Sequence, residues 1–178
     1  MTRKDIIKCI AILAAICIVV SGALAVVNHF TAPVIDAAAM ERENASRQVL
    51  LPDAANFEPL DTAAMPDSIT AAYRGLDAAG GIVGYVFTAG SRGFDGTIVV
   101  MTAIGNDGTI LRVATIDVTS ETKTLGGLTA EASYTEQYIG QGPDLAEVDA
   151  ISHATITSEA YEACVRDSFA AYDCVKEG

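Results

Sequence analysis

Several ingredients of common cofactor sites are missing from this chain. Its four cysteines and two histidines form no C-x-x-C, no His/Cys cluster and no H-E-x-x-H, which argues against an iron–sulfur, haem or zinc centre built by this chain alone. No G-x-G-x-x-G falls between strand and helix, and no G-x-x-x-x-G-K-[ST] occurs, so neither a Rossmann nor a P-loop phosphate cradle is present. No Ser/His/Asp set or carboxylate pair stands at a spacing that suggests acid–base or nucleophilic catalysis. Positive charge is scarce as well. From Asn28 onward there are 22 acidic and 8 basic residues, a net charge near −14, with no Lys/Arg cluster. Such a surface repels phosphate backbones and anionic headgroups, so nucleic acid is not an expected partner. Most of the carboxylates read as a solvated face.

Charge is absent altogether from Cys9 to Val27, a run of 19 residues against the ~20 that cross a hydrocarbon core. Arg3, Lys4 and Lys8 precede it and Asp36, Glu41 and Glu43 follow it. The positive-inside bias therefore sets the N-terminus in the cytoplasm and everything after Asn28 outside. Ala23-Leu24-Ala25 would suit signal cleavage, but the apolar run exceeds the ~7 to 15 residues of a signal h-region and reads as a retained single-pass anchor. Ala15-Ile16 before Cys17 lacks the small residue expected ahead of a lipidated cysteine.

About 150 residues remain, enough for one domain with its own core. Thr31-Ala32-Pro33 reads as a hinge or first-turn proline, Val34 to Leu51 as an alanine-rich helix ending at Pro52, and Pro52 to Ser68 as a loop. Strands are expected over Ile82–Phe87, Thr97–Ile104 and Leu111–Val118, with a hairpin turn at Gly105-Asn106-Asp107-Gly108. Another turn at Ala79-Gly80-Gly81 leads back to a strand near Tyr73. Near the C-terminus, Tyr161, Val165, Phe169, Tyr172 and Val175 recur at helical spacing beside Ala160, Cys164 and Ser168, marking one packed face. Strands first and a long helix last give an α+β domain with an antiparallel sheet. Cys9 and Cys17 read as packing residues. Cys164 and Cys174 are ten apart, ~15 Å on an unbroken helix and too far for a disulfide.

The closing helix begins near Asp149-Ala150-Ile151-Ser152-His153-Ala154-Thr155-Ile156-Thr157-Ser158. Thr157 or Ser158 is the expected N-cap, with Glu159 complementing the dipole in the first turn. Thr155 thus sits at a helix start, where unpaired N–H groups and a partial positive charge favour an anion, phosphate above all.

The run Asp149-x-x-Ser152-x-Ala154-Thr155 resembles the D-x-x-[ST]-G-A-T flavinylation motif of the FMN-binding domain family. That family includes the G subunit of the Rnf ion-translocating electron transport complex and the C subunit of the sodium-pumping NADH:quinone reductase. Glu121-Thr122-Lys123-Thr124-Leu125-Gly126 is similar to the E-T-P-G-L-G stretch of the Rnf protein, and Gly93-Phe94-Asp95-Gly96-Thr97-Ile98 to its G-Y-G-G-x-I stretch. Two departures stand out. His153 occupies the motif's glycine position, and Lys123-Thr124 replaces Pro-Gly. Since glycine tolerates positive φ and close backbone approach, either the local turn needs no left-handed residue or the attachment site is altered. His153 itself reads as a solvated loop residue rather than a phosphate donor.

The resemblance implies covalent FMN, joined by a phosphoester to Thr155 through a separate flavin transferase. Asp149, Ser152 and Ala154 would supply transferase recognition and phosphate surroundings, and Thr122, Leu125 and Gly126 would lie around the ring. Without the resemblance, Glu121 to Gly127 is a strand-ending loop. The implied organisation is a cytoplasmic N-terminus (1–8), a transmembrane helix (9–27), a juxtamembrane helix and linker (28–68), and an extracytoplasmic FMN-binding domain (69–178). The implied role is an electron-transfer subunit in the cell membrane, working with membrane subunits of an Rnf-like ferredoxin:NAD oxidoreductase coupled to sodium or proton translocation. No independent turnover is expected of it. The alternatives are an FMN-domain protein of another extracytoplasmic electron-transfer chain, and a flavin-free membrane-anchored scaffold domain.

Overall fold

The structure is a computed structural model and describes residues 3–176, with the side chains of residues 3–11, 33–40 and 42 outside the description. It comprises two units, Met1–Arg42 and Glu43–Gly178. The role expected of Cys9 falls on an undescribed side chain.

Helix α1 spans Arg3–Leu50. Within it, Ile12–Ala32 forms a 21-residue stretch of mean hydropathy 2.2, about 30 Å long at 1.5 Å per residue and therefore sufficient for one crossing. Cys17 is exposed among the described residues. The hinge expected at Thr31-Ala32-Pro33 is not found, because the helix continues through Pro33. A proline forfeits its own N–H bond but leaves the rest of a long ladder intact. The alanine-rich sequence that follows favours continuation.

The second unit is built on a five-stranded antiparallel meander whose spatial order is the chain order. Its strands are β1 (Asn56–Pro59), β2 (Ile69–Leu76), β3 (Ile82–Arg92), β4 (Thr97–Gly105) and β5 (Ile110–Asp117). The three strongest strand signals are recovered. β3 runs five residues past Phe87 because its small and polar continuation pairs with β4 out to Arg92 opposite Thr97. Strand β1 lies inside the segment expected to be a loop and pairs with β2 from Asn56↔Leu76 to Pro59↔Tyr73. Four residues ending in proline are too few to display alternation, and an edge is where a sheet accepts such a strand.

Both faces of the sheet are covered, so the central strands show near-continuous burial rather than alternation. On one face Tyr85, Phe87, Ala89, Val100 and Ile104 meet α3 (Thr155–Lys176) through Tyr161, Val165, Phe169 and Tyr172. This is the helix face that the spacing predicts. Helix α3 is unbroken and both its cysteines are free. Desolvation, with the nearby Asp167 charge, pushes the buried Cys164 thiol up to about 12. On the opposite face Val86, Met101 and Ala103 lie against Leu50, Leu51 and Ala54. The Arg47 guanidinium stacks 3.8 Å from the Tyr73 ring centroid, a cation–π contact that fixes this end of α1 to β2.

Between β5 and α3 come a short 3-10 turn (Gly126–Ala130), helix α2 (Ala132–Thr135) and a second 3-10 turn (Glu136–Tyr138). Tyr134, Tyr138 and Tyr161 meet here with ring centroids 5.3–5.6 Å apart. The hydroxyls of Tyr134 and Tyr138 are 3.0 Å apart, and burial raises all three phenols above their ordinary range, so they stay neutral.

Phe87 is fully buried and Phe94 is 70 % exposed. Phe87→Ala should cost about 3–5 kcal/mol, while Phe94→Ala should change stability by no more than ~0.5 kcal/mol. Denaturant unfolding of the two full-length variants in detergent, followed by circular dichroism, checks the contrast.

Candidate functional site

A cleft of about 310 Å³ opens where three segments of the second unit converge. The first is the β3–β4 turn, closed by a bond from Gly93 N to Gly96 O at 2.7 Å, which holds Phe94 at the rim. The second is the loop leaving β5. In it the Thr122 carbonyl accepts from the amides of Leu125 at 3.0 Å and Gly127 at 2.9 Å. The buried Thr129 hydroxyl donates to Gly126 O at 2.7 Å, and Thr115 of β5 donates to Thr129 O at 2.9 Å. The loop is therefore tied to the sheet, and it lines the cleft with Glu121, Thr122, Leu125 and Gly126.

The third segment is the start of α3. Ala154 N donates to Ile151 O at 3.0 Å, closing a four-residue turn in which His153 takes φ +67°. Positive φ at the third position alone is the type II pattern, which favours glycine there. The alternative that the local turn needs no left-handed residue is thus overturned: the turn takes one, and His153 supplies it. Histidine is among the side chains enriched in this region.

The expected N-cap at Thr157 or Ser158 is corrected. Ala154 takes that position, its carbonyl accepting the first helical bond from Ser158 N at 2.9 Å. The two hydroxyls are buried and engaged elsewhere: Ser158 Oγ accepts from Ile151 N at 3.0 Å, and Thr157 Oγ1 donates to Glu121 Oε2 at 3.0 Å. Serine and threonine are common caps, but here tertiary partners claim them. With an alanine as cap, the amides of Thr155, Ile156 and Thr157 have no acceptor among the described residues. All three residues line the cleft, and Thr155 is exposed there.

Glu121 links all three segments. Only 6 % exposed, it accepts from the Asp95 amide at 3.0 Å through Oε1 and from Thr157 through Oε2. A Cβ at either Gly93 or Gly126 would fall on this carboxylate, which is why glycine stands at both.

The structure therefore brings together Thr155, Ala154, Thr122, Leu125 and Gly126. Asp149 and Ser152 are exposed and do not line this cleft. Asp149 borders a neighbouring groove of about 250 Å³ with Leu128, Tyr134 and Gln137. Sequence reasoning does not select Phe94, Glu121, His153, Ile156 or Thr157 as site residues. Phe94 and Glu121 sit inside the short motifs quoted for the resemblance, which is the available signal; the burial of Glu121 and Thr157 has none. Unpaired amides beside a free hydroxyl suit a phosphate ester. The exposed apolar side chains of Phe94, Leu125 and Ile156 suit a planar aromatic ligand above it.

Comparison with known proteins agrees with this geometry. Residues 93–170 match the FMN-binding domain family, a span that contains every residue lining the cleft. The chain is 30 % identical over 171 residues to the G subunit of the ion-translocating oxidoreductase complex of Methanosarcina acetivorans, covering 88 % of this chain and 89 % of the relative. It is also 30 % identical over 194 residues to the G subunit of the Na(+)-translocating ferredoxin:NAD(+) oxidoreductase complex of Acetobacterium woodii, covering 95 % and 92 %. Among solved structures, Shewanella oneidensis NqrC is similar at 17 % identity with a TM-score of 0.49, over 67 % of each chain.

The turn geometry yields a prediction at His153. His153→Gly should hold or raise the unfolding midpoint, because relief of ~1 kcal/mol of left-handed strain is partly offset by a freer unfolded chain. His153→Val, β-branched in the same conformation, should destabilise by about 1–2 kcal/mol. Calorimetric unfolding of the three full-length proteins measures both.

Proposed function

The chain belongs to the G-subunit family of ion-translocating oxidoreductase complexes, and we propose that it carries FMN, esterified to Thr155, as an electron carrier of such a complex. The observation that carries this reading is the start of α3, where three residues with unpaired amides, the exposed Thr155 among them, line a cleft with an apolar rim. A phosphodiester bears one negative charge, and helix N-terminal amides suffice to meet it. This accounts for a phosphate site in a strongly acidic domain without a lysine or arginine among its lining residues. Flavin supplies the redox chemistry when bound; the protein fixes its position and surroundings.

The residues divide into roles. Thr155 provides the oxygen that is esterified, with Ala154 beside the phosphate. Thr122, Leu125 and Gly126 form the wall against which the ring rests, and the glycine lets backbone approach closely. Asp149 and Ser152, exposed and outside the cleft lining, are read by the flavin transferase that installs the group.

Anchoring follows from α1, whose apolar stretch is long enough to span once, and from the ion-translocating complexes named for the relatives. Basic residues before the stretch and acidic ones after it support a cytoplasmic N-terminus and an extracytoplasmic domain. In that compartment a covalent bond matters, because noncovalent retention scales with free ligand concentration. The domain relays electrons to and from membrane subunits of the complex, coupled to sodium or proton translocation, and does not turn over NAD by itself.

Co-expression with a flavin transferase, followed by intact mass of the purified protein, tests the reading. One FMN moiety is expected on the parent and none on Thr155→Val, with flavin fluorescence surviving denaturation only in the parent. A parent mass equal to that of the polypeptide alone would refute it.

A further inference from the structure

We infer that Glu121 sets the reduction potential of the flavin held in the cleft, by facing it with a negative charge held in no ion pair among the described residues. The inference rests on the flavin reading above. Its observations are independent of the attachment chemistry. Glu121 is almost wholly buried yet borders the cleft. The two ion pairs found among the described residues, Arg47–Glu43 and Arg166–Glu162, do not involve it. The basic residues nearest in sequence, Lys123 and Arg112, are exposed and make no ion pair with it, and neither does the exposed Arg92 beside the β3–β4 turn.

Burying an uncompensated carboxylate opposes folding. The chain nevertheless makes room for this one with glycines at 93 and 126, and it satisfies both oxygens, through the Asp95 amide and the Thr157 hydroxyl. A glutamine would serve the same architecture. Its Oε1 accepts from the Asp95 amide, and its amino group donates to a Thr157 hydroxyl turned to accept. What the carboxylate adds over glutamine is charge.

The equilibrium affected is the transfer of one electron from an external reductant into the bound ring at fixed pH, with no bond made or broken in the protein. That electron adds negative charge beside the carboxylate. In a cleft partly shielded from water the repulsion is screened less than in bulk, so the ring is harder to reduce. Glu121 therefore holds the potential down, and the strength of its hydrogen bonds adjusts by how much.

Spectroelectrochemical titration of the flavinylated full-length protein in detergent tests this with three variants. Glu121→Gln should raise the ratio of reduced to oxidised flavin at a given applied potential about tenfold, a shift of ~59 mV for a one-electron couple. Glu121→Asp, keeping the charge, should stay within about threefold of the parent by the same relation. Thr157→Val leaves the charge in place and removes a donor that partly neutralises it, so it should lower the ratio. An unchanged potential in Glu121→Gln overturns the inference while leaving the flavin reading intact. A raised potential in Thr157→Val overturns it as well, even if the glutamine variant fails to fold, because packing rather than charge would then govern. Absence of flavin from the parent overturns the flavin reading, and this inference with it.

Discussion

Burial of one face of α3 against β3 and β4 determines where everything else in the second unit can be. Tyr161, Val165, Phe169 and Tyr172 lie on the sheet beside Tyr85, Phe87 and Ile104, and removing that much apolar surface from water is the largest favourable contribution available to a domain of this size. Once the helix axis is set by this packing, its first turn must emerge at one edge of the layer, beside the β3–β4 turn and the loop after β5. The cleft is the gap that the three leave. Its floor is rigid because the loop is bonded to β5 through Thr115 and Thr129.

The first turn of α3 meets two demands at once. Its hydroxyls at 157 and 158 are turned inward to bond Glu121 and the backbone of Ile151, which orders the approach to the helix. That leaves Ala154, which has no side-chain acceptor, in the capping position. A serine or aspartate there would satisfy a helix amide itself and compete with any incoming anion. An alanine cap costs the free helix some stability and keeps the amides open. The strained turn at His153 is a second local cost in the same few residues, and local strain of this kind is characteristic of ligand sites.

How much of this is legible in the residues alone depends on the length scale of each signal. The periodicity of α3 and the β-branched runs of β3, β4 and β5 extend over many residues and identify the packed face and the meander. Strand β1 is short and carries proline, so propensity points to a loop. Pro33 reads as a break, although a single missing donor does not end a long helix. At the site, the phosphate-favouring helix start and Thr155 are readable from residue type and spacing, and the resemblance supplies Thr122, Leu125 and Gly126. The cap is missed because the preference of serine and threonine for helix ends is statistical, and burial against Glu121 overrides it. The central role of Glu121 depends on contacts between residues 26 and 36 positions apart, which no local pattern encodes.

A sheet whose strands neighbour one another in chain order can assemble progressively from mostly local contacts, the arrangement associated with rapid folding. The element that completes the cleft is different. The stretch from His153 to Thr157 lies beyond all five strands, and α3 can dock only when its hydrophobic ridge has left the ribosome. Any group added to this cleft therefore arrives late in the life of the nascent polypeptide, and a chain interrupted before residue 153 would present a sheet with an uncovered greasy side and nowhere to hold a ligand.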